Sequence, residues 1–208
     1  METTNKEELA IVKRLSDNKY NLINANGKLF FDKWFDWISD FKEGLARVQR
    51  ESNGKFNLIT ENGKFLSEQW FDWIGDFLDG FALVRSDRKY NYIDKQGKLL
   101  SEQWFNWAGN FYNDFALVGR ENHEYNYIDK QGKILSSEWF KWLDLFQDEF
   151  ARVERGDGLM NFIDKKGKIL SNEWFRYVDY FHDGLAVVQR TNGEQCKIDK
   201  NGKIVVIK

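Results

Sequence analysis

Apolar residues along this chain come in short bursts cut by polar turns, with no sustained helical stripe. In the stretch FALVRSDRKYNYIDKQGKLL, Phe81–Val84, Tyr90–Ile93 and Lys98–Leu100 are three runs rich in strand formers. Runs this short, bounded by Gly, Asn and Asp, predict β-strands. The turn Asp94-Lys95-Gln96-Gly97 has Asp at its first position and Gly at its fourth. That order predicts a type I turn closed by a left-handed glycine, and hence a β-hairpin. The Asp carboxylate is expected to accept from the backbone two residues on. Asp129, Asp164 and Asp199 head the same turn later in the chain, while Asn24 and Thr60 stand in its first two copies.

The pattern repeats. The motif Asn-x-Ile-x-x-x-Gly-Lys starts at Asn21, Asn57, Asn91, Asn126 and Asn161, with a worn copy at Cys196, so neighbouring copies lie 34 to 36 residues apart. Trp34, Trp70, Trp104, Trp139 and Trp174 each open a Trp-Phe pair, and Trp37, Trp73, Trp107, Trp142 and Tyr177 follow three residues later. Phe41, Phe77, Phe111, Phe146 and Phe181 come next, and Ala-x-Val closes each unit from Ala46 to Val188, with an extra Ala10-Val12 ahead of the first. A fixed period of this kind marks a tandem array whose units bury their apolar faces only against neighbours. The units are expected at about residues 9–44, 45–80, 81–114, 115–149, 150–184 and 185–208, the last incomplete, within a single repeat domain 1–208. The Trp segments fit two periods: in WFDWIGDF, Trp70, Trp73, Ile74 and Phe77 have helical spacing, but Phe71 and Trp73 alternate as in a strand. A strand followed by a tight turn is expected, with one helical turn after Ser67, Ser101, Ser136 or Ser171 as the alternative.

Composition narrows the function. Lys and Arg number 31 against 33 Asp and Glu, a net charge of −2, so the chain lacks the basic excess of a nucleic-acid binder or a polybasic membrane anchor. No apolar run approaches the roughly 20 residues of a membrane span. One cysteine, Cys196, cannot form an intrachain disulfide, and the start METTNKEELAIVKR has neither the basic nor the apolar region of a signal peptide. A cytoplasmic protein is the expectation. Proline is absent, so Gly, Asn and Asp must make the turns.

The stretch from Phe77 to Lys98, FLDGFALVRSDRKYNYIDKQGK, resembles the bacterial WG repeat family, also met as KWG repeats. The resemblance runs from Leu9 to Lys203. The family's Trp-Gly pair is replaced by Tyr20-Asn21, Phe56-Asn57, Tyr90-Asn91, Tyr125-Asn126 and Met160-Asn161. Asn is the non-glycine residue that best tolerates positive φ, so the replacement suggests a left-handed backbone there. The Gly after Phe is kept at Gly44, Gly80 and Gly184 but becomes Asp114 and Glu149 elsewhere, which argues against a strict need for positive φ at that position. The resemblance implies packed β repeats and no fixed activity, cofactor or catalytic residue. Five Trp-Phe bridges for six hairpin sets favour an open twisted β-solenoid array of short antiparallel strands, with a five- or six-bladed propeller as the alternative.

Candidate sites follow from what varies among the copies. Asp36, Asp72, Asn106, Lys141 and Arg176 occupy one position with a drifting charge, and Trp37, Trp73, Trp107, Trp142 and Tyr177 stand beside them. They read either as a graded acidic-to-basic binding surface with an aromatic ladder, or as a solvated face over core packing. Arg47, Leu83, Leu117, Arg152 and Val187 vary within Ala-x-Val in the same way. His123 and His182 are isolated, and a Cys196–His182 dyad is better explained by degeneration of the last copy. No His/Cys spacing matches a zinc site, and the Asp-Lys-Gln-Gly turns put Lys where calcium needs oxygen. No cofactor, no metal and no enzymatic activity are expected. The expected role is a protein-interaction scaffold; the company such repeats keep suggests one that masks a partner, as toxin immunity proteins do. A carbohydrate- or cell-wall-binding module using the aromatic ladder is the alternative. Open edge strands predict end-to-end self-association as well.

Overall fold

The computed structural model describes residues 9–50 and 53–206. The N-terminal leader reading and the end of the last half-unit therefore fall outside the described residues. Every element described is a β-strand. The chain divides between Trp104 and Phe105 into two compact units. In the first, β1 (Ala10–Arg14) pairs with β2 (Lys19–Ile23). A second sheet holds β3 (Trp37–Ile38), β4 (Leu45–Gln49) and β5 (Phe56–Thr60), and a third holds β6 (Trp73–Leu78), β7 (Phe81–Ser86) and β8 (Lys89–Asp94). In the second unit, β9 (Trp107–Ala108), β10 (Phe115–Arg120) and β11 (Glu124–Asp129) form one sheet. The next holds β12 (Trp142–Leu143), β13 (Phe150–Glu154) and β14 (Met160–Asp164), and the last holds β15 (Tyr177–Val178), β16 (Leu185–Gln189), β17 (Gln195–Asp199) and β18 (Ile204–Val206). All pairings are antiparallel, and no sheet among the described residues closes into a barrel. The expected all-β tandem repeat is therefore present.

Turn chemistry sets the hairpins. Gly97 donates to the Asp94 carbonyl at 3.1 Å with φ +84°, and the Asp94 carboxylate accepts from the amides of Gln96 (2.9 Å) and Lys98 (2.8 Å). The same bonds recur under Asp129, Asp164 and Asp199. The run after this turn is no strand of its own in the earlier copies: one residue of each bridges, Leu29, Phe65, Leu99, Ile134 or Ile169, to Ile23, Ile59, Ile93, Ile128 or Ile163. Only the last copy extends it, into β18. At the other hairpin, Glu43, Asp79 and Asp183 are left-handed with the glycine after them; in the copies with Asp114 and Glu149 the left-handed residue is Asn113 or Asp148. The Trp-Phe segments are extended, as expected. Phe35, Phe71, Phe140 and Phe175 form bridges, and the following Trp or Tyr opens a two-residue strand or the longer β6. The serines do not cap helices: Ser67, Ser101, Ser136 and Ser171 each accept, through Oγ, the amide two residues on, at 3.1 Å.

The conserved asparagine overturns one expectation. None of Asn21, Asn57, Asn91, Asn126 and Asn161 has positive φ; each lies inside a strand and is 0–1% exposed. The side chain is what matters there. Asn126 Nδ2 donates to the carbonyls of Ser136 and Glu138, both at 2.8 Å, while its Oδ1 accepts the Tyr127 amide at 2.8 Å. Asn161 bonds Ser171, Glu173 and Phe162 in the same way. Each amide thus fastens the segment that leaves one sheet for the next. Cys196 takes this place in the last sheet, where β18 supplies backbone partners instead.

Within each unit the core lies between consecutive sheets. Leu58 of β5 packs with Phe71, Ile74, Ala82, Val84 and Ile93 of the following sheet. Leu22, Tyr127 and Phe162 reach forward equivalently. A sheet that hides its face only against a neighbour explains why the units occur in tandem. Close approach fixes the turn glycines too: a Cβ on Gly97 would run into the Leu66 backbone carbonyl, and Gly167 and Gly202 meet Leu135 and Leu170 likewise, whereas Gly27 (φ +79°) has nothing within 4 Å.

Two stability changes follow. Asn126→Ala leaves two carbonyls and an amide without their partner and is expected to cost about 2–4 kcal/mol in denaturant unfolding. Gly27→Ala is expected to cost about 1–2 kcal/mol for its left-handed backbone alone, and Gly97→Ala distinctly more because of the added collision; equal losses in the two would refute the packing argument.

Candidate functional site

From the second sheet on, each sheet turns one aromatic ring outward. Trp37, Trp73, Trp107, Trp142 and Tyr177 are 39%, 42%, 45%, 40% and 48% exposed. Each opens the first strand of its sheet, opposite Gln49, Arg85, Gly119, Glu154 and Gln189 respectively. Strand alternation then sends the next residue, Ile38, Ile74, Ala108, Leu143 or Val178, into the core. Trp107 is steadied edge-on by Tyr125, with ring centres 5.8 Å apart.

The first Trp of the pair is treated differently. Arg14, Arg50, Arg120 and Arg155 lay their guanidinium groups over Trp34, Trp70, Trp139 and Trp174, at 4.5, 4.2, 4.8 and 4.6 Å from the ring centres. Such cation–π contacts join one repeat to the next. The sequence reading did not single out these arginines, although each stands two residues after the Val of Ala-x-Val, and that recurrence was the available signal.

The drifting charges lie beside the exposed ring and meet partners. Lys19 pairs with Asp36, and Lys55 with Asp72 at 3.3 Å; farther on the polarity reverses, with Glu124 facing Lys141 at 3.6 Å. The Asp87 amide donates to Asp72 at 2.8 Å and, aided by Lys55, holds that carboxyl below the usual carboxylate range. Asn106 and Arg176 are exposed. The acidic-to-basic series is therefore answered, where these pairs form, by an opposite charge on the preceding hairpin, and partly exposed pairs of this kind contribute little stability.

The middle residues of Ala-x-Val are half-buried, and three of them line grooves between consecutive sheets. Arg47 borders a groove of 670 Å³ between the second and third sheets, floored by Ile38, Leu45, Leu58 and Phe77. Two cross-sheet ion pairs rim it, Arg47–Asp76 and Lys95–Glu43, the latter at 2.7 Å. In the second unit the corresponding spaces shrink to 220 and 40 Å³, beside Leu117 and Arg152. Arg152 pairs with Asp144 at 2.8 Å and stacks 3.7 Å from the Tyr180 ring centre, while the Tyr180 hydroxyl donates to the same carboxylate at 2.7 Å. Burial opposes ionisation of Asp144, but the bonds from Tyr180 and Arg152 outweigh it and leave its carboxyl below the usual range.

The remaining chemistry-bearing residues do not converge. Cys196 is buried in the last core cluster, and that burial pushes its thiol up, away from the reactive thiolate. His182 lies exposed at a hairpin, and His123 is exposed in a left-handed turn. Among the described residues no group of His, Cys, Asp and Glu is arranged to hold a metal, and no helix is long and apolar enough to cross a membrane.

Small antiparallel sheets repeated about every 35 residues, five of them with a buried asparagine that fastens the outgoing segment, define a tandem β-repeat protein. Residues 22–122 carry three WG repeats: the family model for the WG containing repeat matches residues 22–56, 58–90 and 92–122, and the later copies continue the same residue pattern. No curated protein matches the chain. Among solved structures it is similar to the computationally designed Ika8 protein, with a TM-score of 0.36 and 16% identity over 94% of this chain and 70% of that one. BamB from Moraxella catarrhalis gives 0.32 and 11% over 98% and 76%, and Hsv2 from Kluyveromyces lactis 0.37 and 10% over 94% and 72%.

Because Asp144 is ionised more readily in the folded chain, its stabilisation is present above its ordinary value of 3.8 and is lost as the pH falls below that. Denaturant stability measured downward from about pH 5 should therefore fall less steeply in Asp144→Asn than in the wild type. An unchanged slope would remove Asp144 from the acid response.

Proposed function

We propose that this chain is a non-catalytic scaffold that binds a protein partner through the outward aromatic of each sheet and the groove beside it. The observation that carries this reading is the contrast between the two tryptophans of each repeat. The first is roofed by an arginine in four copies, whereas the second stays 39–48% exposed at one register position in every copy, Trp142 included although Arg152 lies over it at 5.5 Å. Exposed Trp and Tyr beside Arg are the side chains that dominate binding energy at protein interfaces. A repeated surface of this kind suits a partner-masking role, immunity against a toxin included. The lone thiol fits work in the cytoplasm, and the scheme calls on no cofactor.

Replacing Trp37 and Trp73 together by Ala tests the reading. The double variant is expected to keep its thermal midpoint within about 4 °C, since exposed rings add little to folding. A protein partner captured stoichiometrically by the wild type is expected to be lost from it. Retention of that partner by the folded variant would sink the proposal, and binding confined to a glycan array would replace it with the carbohydrate reading.

A further inference from the structure

The repeats differ in how they fill the space between consecutive sheets, and the difference identifies an occupant. In the second unit that space holds three rings of the chain itself. Phe115, Tyr127 and Phe146 have centres 4.7 to 6.1 Å apart, and Phe150, Phe162 and Phe181 repeat the set at 4.7 to 6.5 Å. Between the second and third sheets the equivalent residues are Leu45, Leu58 and Phe77, so one ring stands where each boundary of the second unit has three; Leu9, Leu22 and Phe41 leave one ring between the first two sheets in the same way. The outcome is the 670 Å³ groove, against 220 and 40 Å³ where the rings are present, and a volume within the range of small-ligand sites.

We infer that this groove takes the aromatic side chain of a protein partner, a tyrosine in preference to a phenylalanine. The inference rests on the interaction reading above and names the chemistry of the anchor. The chain's own copies show what fits. Tyr127 lies against Phe146 with ring centres 4.7 Å apart, and its hydroxyl donates to the Asp144 carbonyl of the next sheet. The corresponding ring in the groove is Phe77, and the corresponding carbonyl is that of Gly75. Charge complementarity completes the description. Arg47–Asp76 and Lys95–Glu43 satisfy one another at the rim, whereas Asp40 and Lys42, both exposed, make no ion pair among the described residues. A tyrosine flanked by one basic and one acidic residue meets both.

The probe is the capped tripeptide Lys-Tyr-Glu, titrated into the whole protein while backbone amide NMR shifts are followed. Saturable shifts centred on Leu58 and Gly75 are expected, weaker with Lys-Phe-Glu and absent with Lys-Ala-Glu. In Leu45→Phe/Leu58→Tyr, which copies Phe115 and Tyr127, the groove is filled from within, and affinity should drop by about tenfold or more. Because another copy already carries those residues, the variant is expected to fold; should it not, the contrast between the Tyr and Ala peptides on the wild type still decides. Absence of saturable shifts, equal response to all three peptides, or undiminished binding by the folded variant would overturn the inference, as would free tyrosine binding more tightly than the capped peptide. If the peptide fails while Trp37→Ala/Trp73→Ala still loses the partner, only the groove assignment falls. If the partner is retained, the interaction reading falls with it.

Discussion

Buried side-chain amides hold the segments that leave the first five hairpins. The segment leaving a hairpin must travel without a strand partner, and its backbone groups would be costly to bury unsatisfied. Asn21, Asn57, Asn91, Asn126 and Asn161 answer this by offering a donor group and an acceptor from inside the preceding strand, ten residues back along the chain. Once the crossing is fixed, the Trp-Phe segment must land one sheet farther on, and its Phe drops into the space between. The latch therefore positions the aromatic core, and the core in turn closes the water-free setting in which such bonds are strong. Neither is stable without the other, which is the physical meaning of a repeat that cannot stand alone.

The same latch explains the fate of the outward aromatic. Its strand is usually only two residues long, and alternation allows one of them to face the core. In every copy the inward place goes to an aliphatic residue, which leaves the large ring outside. Exposure of Trp37, Trp73, Trp107, Trp142 and Tyr177 is thus compelled by register once the crossing is anchored. What is not compelled is that the outward residue be aromatic, since Gln, Lys or Thr would occupy an exposed strand position at no cost to the core. That gap between what folding requires and what the chain carries is the strongest argument for a role in recognition.

Much of this was legible beforehand. The period, the Asp-headed turns, the Ala-x-Val strands and the extended character of the Trp-Phe segments follow from local patterns, because turn geometry and alternation are local properties. The asparagine was misread for a related reason: its backbone tolerance is a local property, whereas its real task is satisfied ten and twelve residues away. The arginines over the first tryptophans and the pairs Lys19–Asp36 and Glu124–Lys141 also join positions distant in sequence. They become visible only when each repeat is compared with the one before it, residue against residue. In that comparison the charge drift at Asp36, Asp72 and Lys141 is answered position by position, which a reading of one column alone cannot detect.

Comparison between copies also separates architecture from specificity. Positions that close the core, such as Ala82, Val84 and Ile93, are nearly the same in each sheet because a tightly packed space tolerates little change of volume. Leu45 and Leu58, like Leu9 and Leu22 one boundary earlier, break the ring triad while the surrounding latch, turns and strands remain in register. A loss of two rings from a core would ordinarily be destabilising, by cavity formation, unless neighbouring side chains collapse inward. The Lys95–Glu43 and Arg47–Asp76 pairs span the rim between these two sheets, and Asn57 holds the segment that joins them. The groove lies at this boundary, and the ring triads of the second unit show which side chains fill the equivalent space elsewhere.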